Sequence, residues 1–115
     1  MRRAMKARIL AAALLALSLP VAASGDAEVG KKKSAPCAAC HGANGVSASP
    51  DFPNLAGQYD DYLLKALNNY KNGKRKNPIM QAQVANLSPK DMMDLAAYFS
   101  HQQGLATRKH THFIP

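Results

Sequence analysis

The chain of 115 residues carries 15 Lys and Arg against 7 Asp and Glu, and this length supports one small domain. Four of the basic residues and none of the acidic ones fall in residues 1–24, so residues 25–115 keep 11 basic and 7 acidic side chains, a net charge of +4. This mild excess excludes the strongly basic surface expected of a nucleic-acid-binding protein.

Residues 1–24 have the pattern of a secretory signal peptide. A basic start precedes the apolar run 9–19, and small residues such as Ala22 close the segment. The run is too short and ends too abruptly for a helix that spans a membrane. We therefore expect cleavage after Ser24 and export to the periplasm. A retained membrane anchor is the alternative interpretation.

The first helix is predicted over residues 27–34, with Asp26 as its N-terminal cap. Gly30 stands in the middle of this helix, where glycine costs about 1 kcal/mol relative to alanine. A glycine at such a position often marks the close approach of another helix. We expect that helix to be the last one in the chain.

The only two cysteines, Cys37 and Cys40, form the pattern C-x-x-C-H, which His41 completes. This pattern is the attachment signal for a c-type haem. A single helical turn brings both sulfurs to one edge of a porphyrin, where they form thioethers, and the following histidine can bind the iron. The motif thus predicts one covalent haem c, with Cys37 and Cys40 as anchors and His41 as the proximal ligand.

Three other interpretations of the cysteines compete with haem attachment. A dithiol redox switch leaves His41 unexplained. Half of a zinc site lacks a second cysteine pair, and the other histidines lie far away near the C-terminus. A structural disulfide between Cys37 and Cys40 would close almost no loop and would stabilise little.

Residues 42–57 are rich in Gly, Asn, Ser and Pro and predict a long loop. So long a loop in a small domain needs something to fill it, and a haem edge would do so. The apolar residues available to cover that edge are Phe52, Pro53 and Leu55.

Two further helices follow the loop. Apolar residues between Tyr59 and Tyr70 recur at helical spacing, and Gly73 is placed to stop that helix. Residues 74–80 predict a polar turn that leads to Met80. The last helix opens with Ser88 as its cap, and its apolar stripe, with Tyr98 alongside, consists of Met92, Leu95, Ala96 and Phe99. No segment predicts a convincing strand, and residues 107–115 predict a flexible tail.

With this arrangement the chain resembles the class I c-type cytochromes, most closely the small single-haem bacterial type represented by cytochrome c553 and by one domain of cytochrome c4. The resemblance covers residues 25–104 and depends on the C-x-x-C-H-G motif, the segments 52–58 and 95–99, and Met80. It implies an all-α cytochrome c fold, with short helices packed around one covalently bound haem. It also implies a cytochrome c domain at residues 25–106.

The resemblance assigns roles to two further residues. It implies that Met80 is the distal iron ligand, opposite His41, and that the carbonyl of Pro53 accepts a hydrogen bond from that histidine. Met92 and Met93, the other methionines after the leader, lie in the first turns of the last helix, where Met92 shares the apolar stripe. Met80 lies in a connection, at the position that the family uses.

The resemblance also implies the function. We expect a periplasmic one-electron carrier rather than an enzyme, with redox proteins as its partners. The alternative is a haem c subunit of a larger periplasmic oxidoreductase complex. We expect a monomer or weak dimer, with loose association with a membrane surface as one option. Two basic clusters, Lys31–Lys33 and Lys74–Lys76, could steer an acidic partner, or could simply be solvated.

Overall fold

The computed structural model of the protein describes residues 11–16 and 25–104. The predicted tail, 107–115, lies outside the described residues, and so does most of the predicted signal peptide, 1–24. None of the described helices combines the length and apolar character that crossing a membrane demands.

Five helices make up the fold, and no strand occurs among the described residues. This confirms the prediction of an all-α protein. In chain order they are α1 (Ala27–Lys33), α2 (Ala35–His41), α3 (Asp60–Lys71), α4 (Pro78–Val84) and α5 (Pro89–Ser100).

Side-chain caps begin α1 and α5 where the sequence predicts them. The carboxylate of Asp26 accepts hydrogen bonds from the backbone N–H groups of Glu28 and Val29, at 2.9 and 3.1 Å. Ser88 and Asp91 form a reciprocal capping box, with bonds of 2.9 and 3.0 Å. Each cap satisfies donors that the first helical turn leaves without an intrahelical partner.

Helices α1 and α5 cross at Gly30, as predicted. A Cβ atom at this position would overlap the carbonyl of Asp94 and would lie 2.8 Å from the Cβ of Tyr98. The absence of a side chain on Gly30 therefore lets the two backbones touch.

A buried carboxylate fastens the same crossing. Asp94, only 1% exposed, accepts hydrogen bonds from the backbone N–H of Asp26 at 2.8 Å, from Lys90 at 2.8 Å and from Lys33 at 3.0 Å. Lys33 also contacts Asp91 at 2.6 Å. Thus Lys33 pairs with two carboxylates of α5 and is not a freely solvated member of the basic cluster Lys31–Lys33.

These contacts shift the ionisation of all three groups. The Lys33 ammonium and the Ser88 backbone N–H lower the pKa of Asp91 to about 2. The backbone N–H of Asp26, followed by Lys90, holds the pKa of Asp94 well below its usual range. Hydrogen bonds to Asp91 and Asp94 raise the pKa of Lys33.

The apolar core lies between α3 and α5. Its buried members are Leu63, Leu95, Ala96, Tyr98 and Phe99, and Cys37 packs against them. Tyr59, the first residue of the predicted apolar face of α3, is 79% exposed and lies outside the core. It precedes the first helical residue, so it does not share the helix face that Leu63 buries.

Candidate functional site

One cleft of about 520 Å³ brings together all five residues that the sequence singles out. Its lining includes Cys37, Cys40, His41, Pro53 and Met80, which come from α2, from the loop after it and from α4. The volume lies within the range of cofactor pockets.

Helix α2 carries both cysteines on a single turn. Its N-cap is Ser34, a buried residue that joins α2 to α1 and whose hydroxyl donates to the carbonyl of Lys31 at 2.8 Å. No disulfide joins Cys37 to Cys40, so both sulfurs are available to attach a group, and burial raises the pKa of the Cys37 thiol.

The imidazole of His41 is buried and held in one orientation. Its Nδ1 lies 2.8 Å from the carbonyl oxygen of Pro53. A carbonyl can only accept, so Nδ1 carries the proton and Nε2 is left with its lone pair. The ring of Phe52 approaches the imidazole edge-on, with centroids 6.4 Å apart. A hydrogen bond from one ring nitrogen to a backbone carbonyl, like that of His41 to Pro53, typically orients a metal-binding histidine.

The loop that carries Pro53 is tied back to the rest of the fold. The backbone N–H groups of Leu55 and Ala56 both donate to the carbonyl of Gly45, at 2.8 and 3.1 Å. From α5, the hydroxyl of Tyr98 donates to the carbonyl of Ala43 at 2.9 Å. The first two bonds close the loop on itself and the third ties it to α5, so the loop that carries the Pro53 carbonyl has a fixed course.

Met80 lies in a helix, whereas the sequence predicts a polar turn at this position. Helix α4 begins at Pro78, and the Asn77 side chain accepts a hydrogen bond from the backbone N–H of Met80 at 3.0 Å. The signal was present, since Asn followed by Pro is a typical pair for the cap and first position of a helix. The sequence nevertheless predicts a turn here, because the helix is short and basic residues precede it.

The other two described methionines of residues 25–104 do not line this cleft. Met92 is 2% exposed and belongs to the packed interior of α5, as its place in the apolar stripe predicts. Met93 is partly buried, and its carbonyl lies against Gly25. Met80 is partly buried and faces the space that also receives His41.

The remaining walls of the cleft suit a flat, largely apolar group with polar edges. The apolar lining includes Phe52, Leu55, Leu63, Ala66, Leu67, Ile79, Leu95, Ala96 and Phe99. The guanidinium of Arg75 stacks on the ring of Tyr70 at 4.9 Å from its centroid, and both residues line the cleft. Two thiols suit the covalent attachment of a haem, and an imidazole and a thioether suit the ligation of its iron.

The sequence analysis does not predict two features of the structure, one in this cleft and one at the crossing of α1 and α5. The cap at Asn77 could have been found from the Asn-Pro pair. The partnership of Lys33 with Asp94 could not, because 61 residues separate them and neither neighbourhood indicates the contact.

Among the described residues, no three His, Cys, Asp or Glu side chains cluster so as to hold a metal ion without a cofactor.

Comparison with known proteins agrees with this geometry. A model of the cytochrome c family matches residues 27–103. Cytochrome c4 of Pseudomonas aeruginosa is 47% identical over 98 residues, which cover 84% of this chain and 49% of that protein. Cytochrome c-554(548) of Halomonas halodenitrificans is 40% identical over 83 residues, which cover 70% of this chain and 100% of that protein.

Solved structures show the same likeness. The crystal structure of reduced recombinant cytochrome c4 from Pseudomonas stutzeri matches with a TM-score of 0.69 and 46% identity, covering 71% of this chain and 48% of that chain. The thiosulfate dehydrogenase of Marichromatium purpuratum matches with a TM-score of 0.66 and 32% identity, covering 71% of this chain and 20% of that chain.

The chain spans about half the length of the cytochrome c4 relatives it matches. The match still extends over more than half of the chain, from the first residue of α1 to beyond the end of α5. The resemblance that the sequence motifs predict is therefore confirmed. The chain belongs to the cytochrome c family, and its cofactor is a covalently bound haem c.

Proposed function

We propose that this protein is a periplasmic one-electron carrier, with Cys37 and Cys40 as the covalent anchors of the haem and His41 and Met80 as its axial ligands. The observation that carries the proposal is the convergence of these four side chains on one cleft. The cytochrome c4 relatives are electron carriers, which supports the same function for this chain.

Each residue has a distinct task in this proposal. When bound, the haem supplies a couple between ferrous and ferric iron that takes up or releases one electron. His41, held through Nδ1 by Pro53, presents Nε2 to the iron. Met80 would supply a second ligand to the iron, would keep other ligands off it and would raise the reduction potential relative to bis-histidine ligation. The apolar walls exclude water and keep the ligands in place through both oxidation states.

Intact-mass spectrometry tests the attachment. After expression with a cytochrome c maturation system, the purified protein should carry one haem that stays with the polypeptide through denaturation and acid–acetone extraction. The double variant Cys37→Ala/Cys40→Ala should lose it. A wild-type protein with two free thiols and no haem would refute the proposal.

A potentiometric titration tests the electron transfer. The purified protein should titrate reversibly as a single one-electron couple. A protein with covalent haem that cannot be cycled between its two states would not be a carrier, even with the attachment intact.

A second candidate function is supported by the match to part of a thiosulfate dehydrogenase. In that case the chain serves as a haem c subunit that passes electrons to or from a catalytic partner. Size-exclusion chromatography of the native protein from its source distinguishes the two. A free carrier elutes near the mass of its own chain, which is 12.3 kDa with the leader included, whereas a subunit elutes in a stable larger complex.

The domain limits and the location are part of the proposal. We propose residues 1–24 as a cleaved signal peptide, 25–106 as the cytochrome c domain and 107–115 as a flexible tail. N-terminal sequencing of the protein from the periplasmic fraction should begin at Gly25. An N-terminus at Met1 would mean that the leader is retained.

A further inference from the structure

Helix α4 is held to the protein unevenly along its length. At its C-terminal end Val84 is 1% exposed, and Leu87, three residues further on, packs against the core between α3 and α5. At its N-terminal end Pro78 and Ile79 are exposed, the latter by 59%. Met80 belongs to this poorly packed end.

A helix of seven residues does not hold its own first turn together. Pro78 has no N–H to donate, so the first turn depends on the residues on either side of it. Asn77 supplies both bonds that close the turn. Its side-chain oxygen accepts from the N–H of Met80 at 3.0 Å, and its backbone carbonyl accepts from Gln81 at 2.9 Å.

The methionine side chain does not fix its own sulfur, because it has three rotatable bonds and adapts readily to its surroundings. Sulfur therefore stays in one place only if the Cα atom of its residue does. Asn77 itself lines the cleft, which places the cap directly beside the position that Met80 occupies.

We propose that Asn77 is a positioning residue for Met80: its amide oxygen fixes the Met80 backbone and so keeps the thioether at the sixth position of the iron. This inference rests on the proposed role of Met80 as a ligand. Asn77 itself touches neither the reacting atoms nor the iron in this role.

Imidazole binding to the ferric protein measures the effect. Imidazole takes the position that Met80 must leave, so its apparent Kd reports how firmly the methionine is held. In Asn77→Ala the Kd should fall about fivefold, the factor that losing an N-cap typically produces. Asn77→Ser should stay close to wild type, and Asn77→Gly should lie between the two, because this is the order of N-cap preference.

Ser88→Ala is the matched control, since it removes the N-cap of α5 at a distance from the cleft. It should lower thermal stability by an amount similar to Asn77→Ala and leave the imidazole Kd unchanged. If Asn77→Ala does not fold, the Gly variant carries the test. An unchanged Kd in Asn77→Ala or Asn77→Gly, or an equal shift in Ser88→Ala, would overturn the inference.

The variant Met80→Leu separates this inference from the function on which it rests. If Met80→Leu keeps the weak ferric absorption at the red end of the spectrum that marks iron–sulfur ligation, Met80 is not the ligand and both proposals fail. If Met80→Leu loses this absorption while Asn77→Ala binds imidazole like the wild type, only the role of Asn77 is wrong.

Discussion

The crossing of α1 and α5 and the cleft are held together by different means. At the crossing of α1 and α5, backbones touch at Gly30, and the α5 carboxylate of Asp94, which is 1% exposed, accepts from Lys33 and from the backbone N–H of Asp26 on the α1 side. At the cleft, α4 meets the protein through its C-terminal end, and its first turn depends on Asn77. Contacts within the protein are thus sufficient to hold the crossing together. The cleft, by contrast, is lined by residues that suit the haem.

This difference separates stability from ligation. A change at the crossing should lower the free energy of unfolding and leave the iron's ligands as they are. A change on the cleft side should alter the ligands with a smaller effect on unfolding.

The largest loss of stability is expected from Gly30→Ala. The added methyl group would overlap the Asp94 carbonyl, so the two helices would have to move apart. We expect the free energy of unfolding to fall by about 3 kcal/mol, measured by denaturant titration of the haem protein. Gly73→Asn is the control, because no atom lies within 4 Å of a Cβ there, and asparagine tolerates the positive φ. A loss as large at Gly73 would mean that the crossing has no special role.

Removal of the buried carboxylate should cost less. Asp94→Ala leaves the backbone N–H of Asp26 without its acceptor and both lysines without their shared partner. We expect a loss of about 2 kcal/mol in the free energy of unfolding. Asp94→Asn should lose less stability than Asp94→Ala, because the amide oxygen can still accept a hydrogen bond from the backbone N–H of Asp26. If the two variants are equally stable, the hydrogen bond from Asp26 contributes little.

The same network should make the protein sensitive to acid. The folded-state pKa values of Asp91 and Asp94 are below their ordinary value of 3.8, that of Asp91 at about 2, so the unfolded chain binds more protons in this range. The stability that both carboxylates contribute is therefore complete above about pH 5 and falls as the pH drops through 4 towards 2. Lys33, whose pKa is raised, stays charged throughout this window.

The melting temperature of the haem protein as a function of pH checks this. Lys33→Met removes the largest cause of the Asp91 shift, so its melting temperature should fall less steeply with acid than that of the wild type. Parallel curves for the two proteins would show that Lys33 does not set the acid response.

Local patterns predicted most of the crossing from the sequence. The structural roles of the helix caps and of the mid-helix glycine depend on neighbours within a few residues. The sequence can therefore indicate the roles of Asp26, Gly30 and the Ser88–Asp91 box. The ion pair from Lys33 to Asp94 depends on how two distant helices dock, and no local pattern encodes it. For this reason the sequence predicts Lys33 as a residue of a basic cluster and not as the partner of Asp94.

The cleft shows the same limit in another form. The C-x-x-C-H motif identifies its three residues directly, and the hydrogen bond from His41 to Pro53 follows from the family resemblance and is present at 2.8 Å. The sequence predicts a turn where α4 stands, because seven residues give too few helical turns for a periodic pattern to appear. The signal for so short a helix is its cap, and here that signal is the Asn77–Pro78 pair.

The proposed binding of Met80 to the iron is tested by the ferric absorption spectra of two matched variants. Met80→Leu and Met92→Leu each replace one thioether with a side chain of similar volume. We predict that Met80→Leu loses the weak absorption at the red end of the spectrum, keeps its haem through Cys37 and Cys40, and binds carbon monoxide when reduced. Met92→Leu should keep that absorption. The opposite pattern, with the band retained in Met80→Leu and lost in Met92→Leu, would show that Met92 and not Met80 binds the iron.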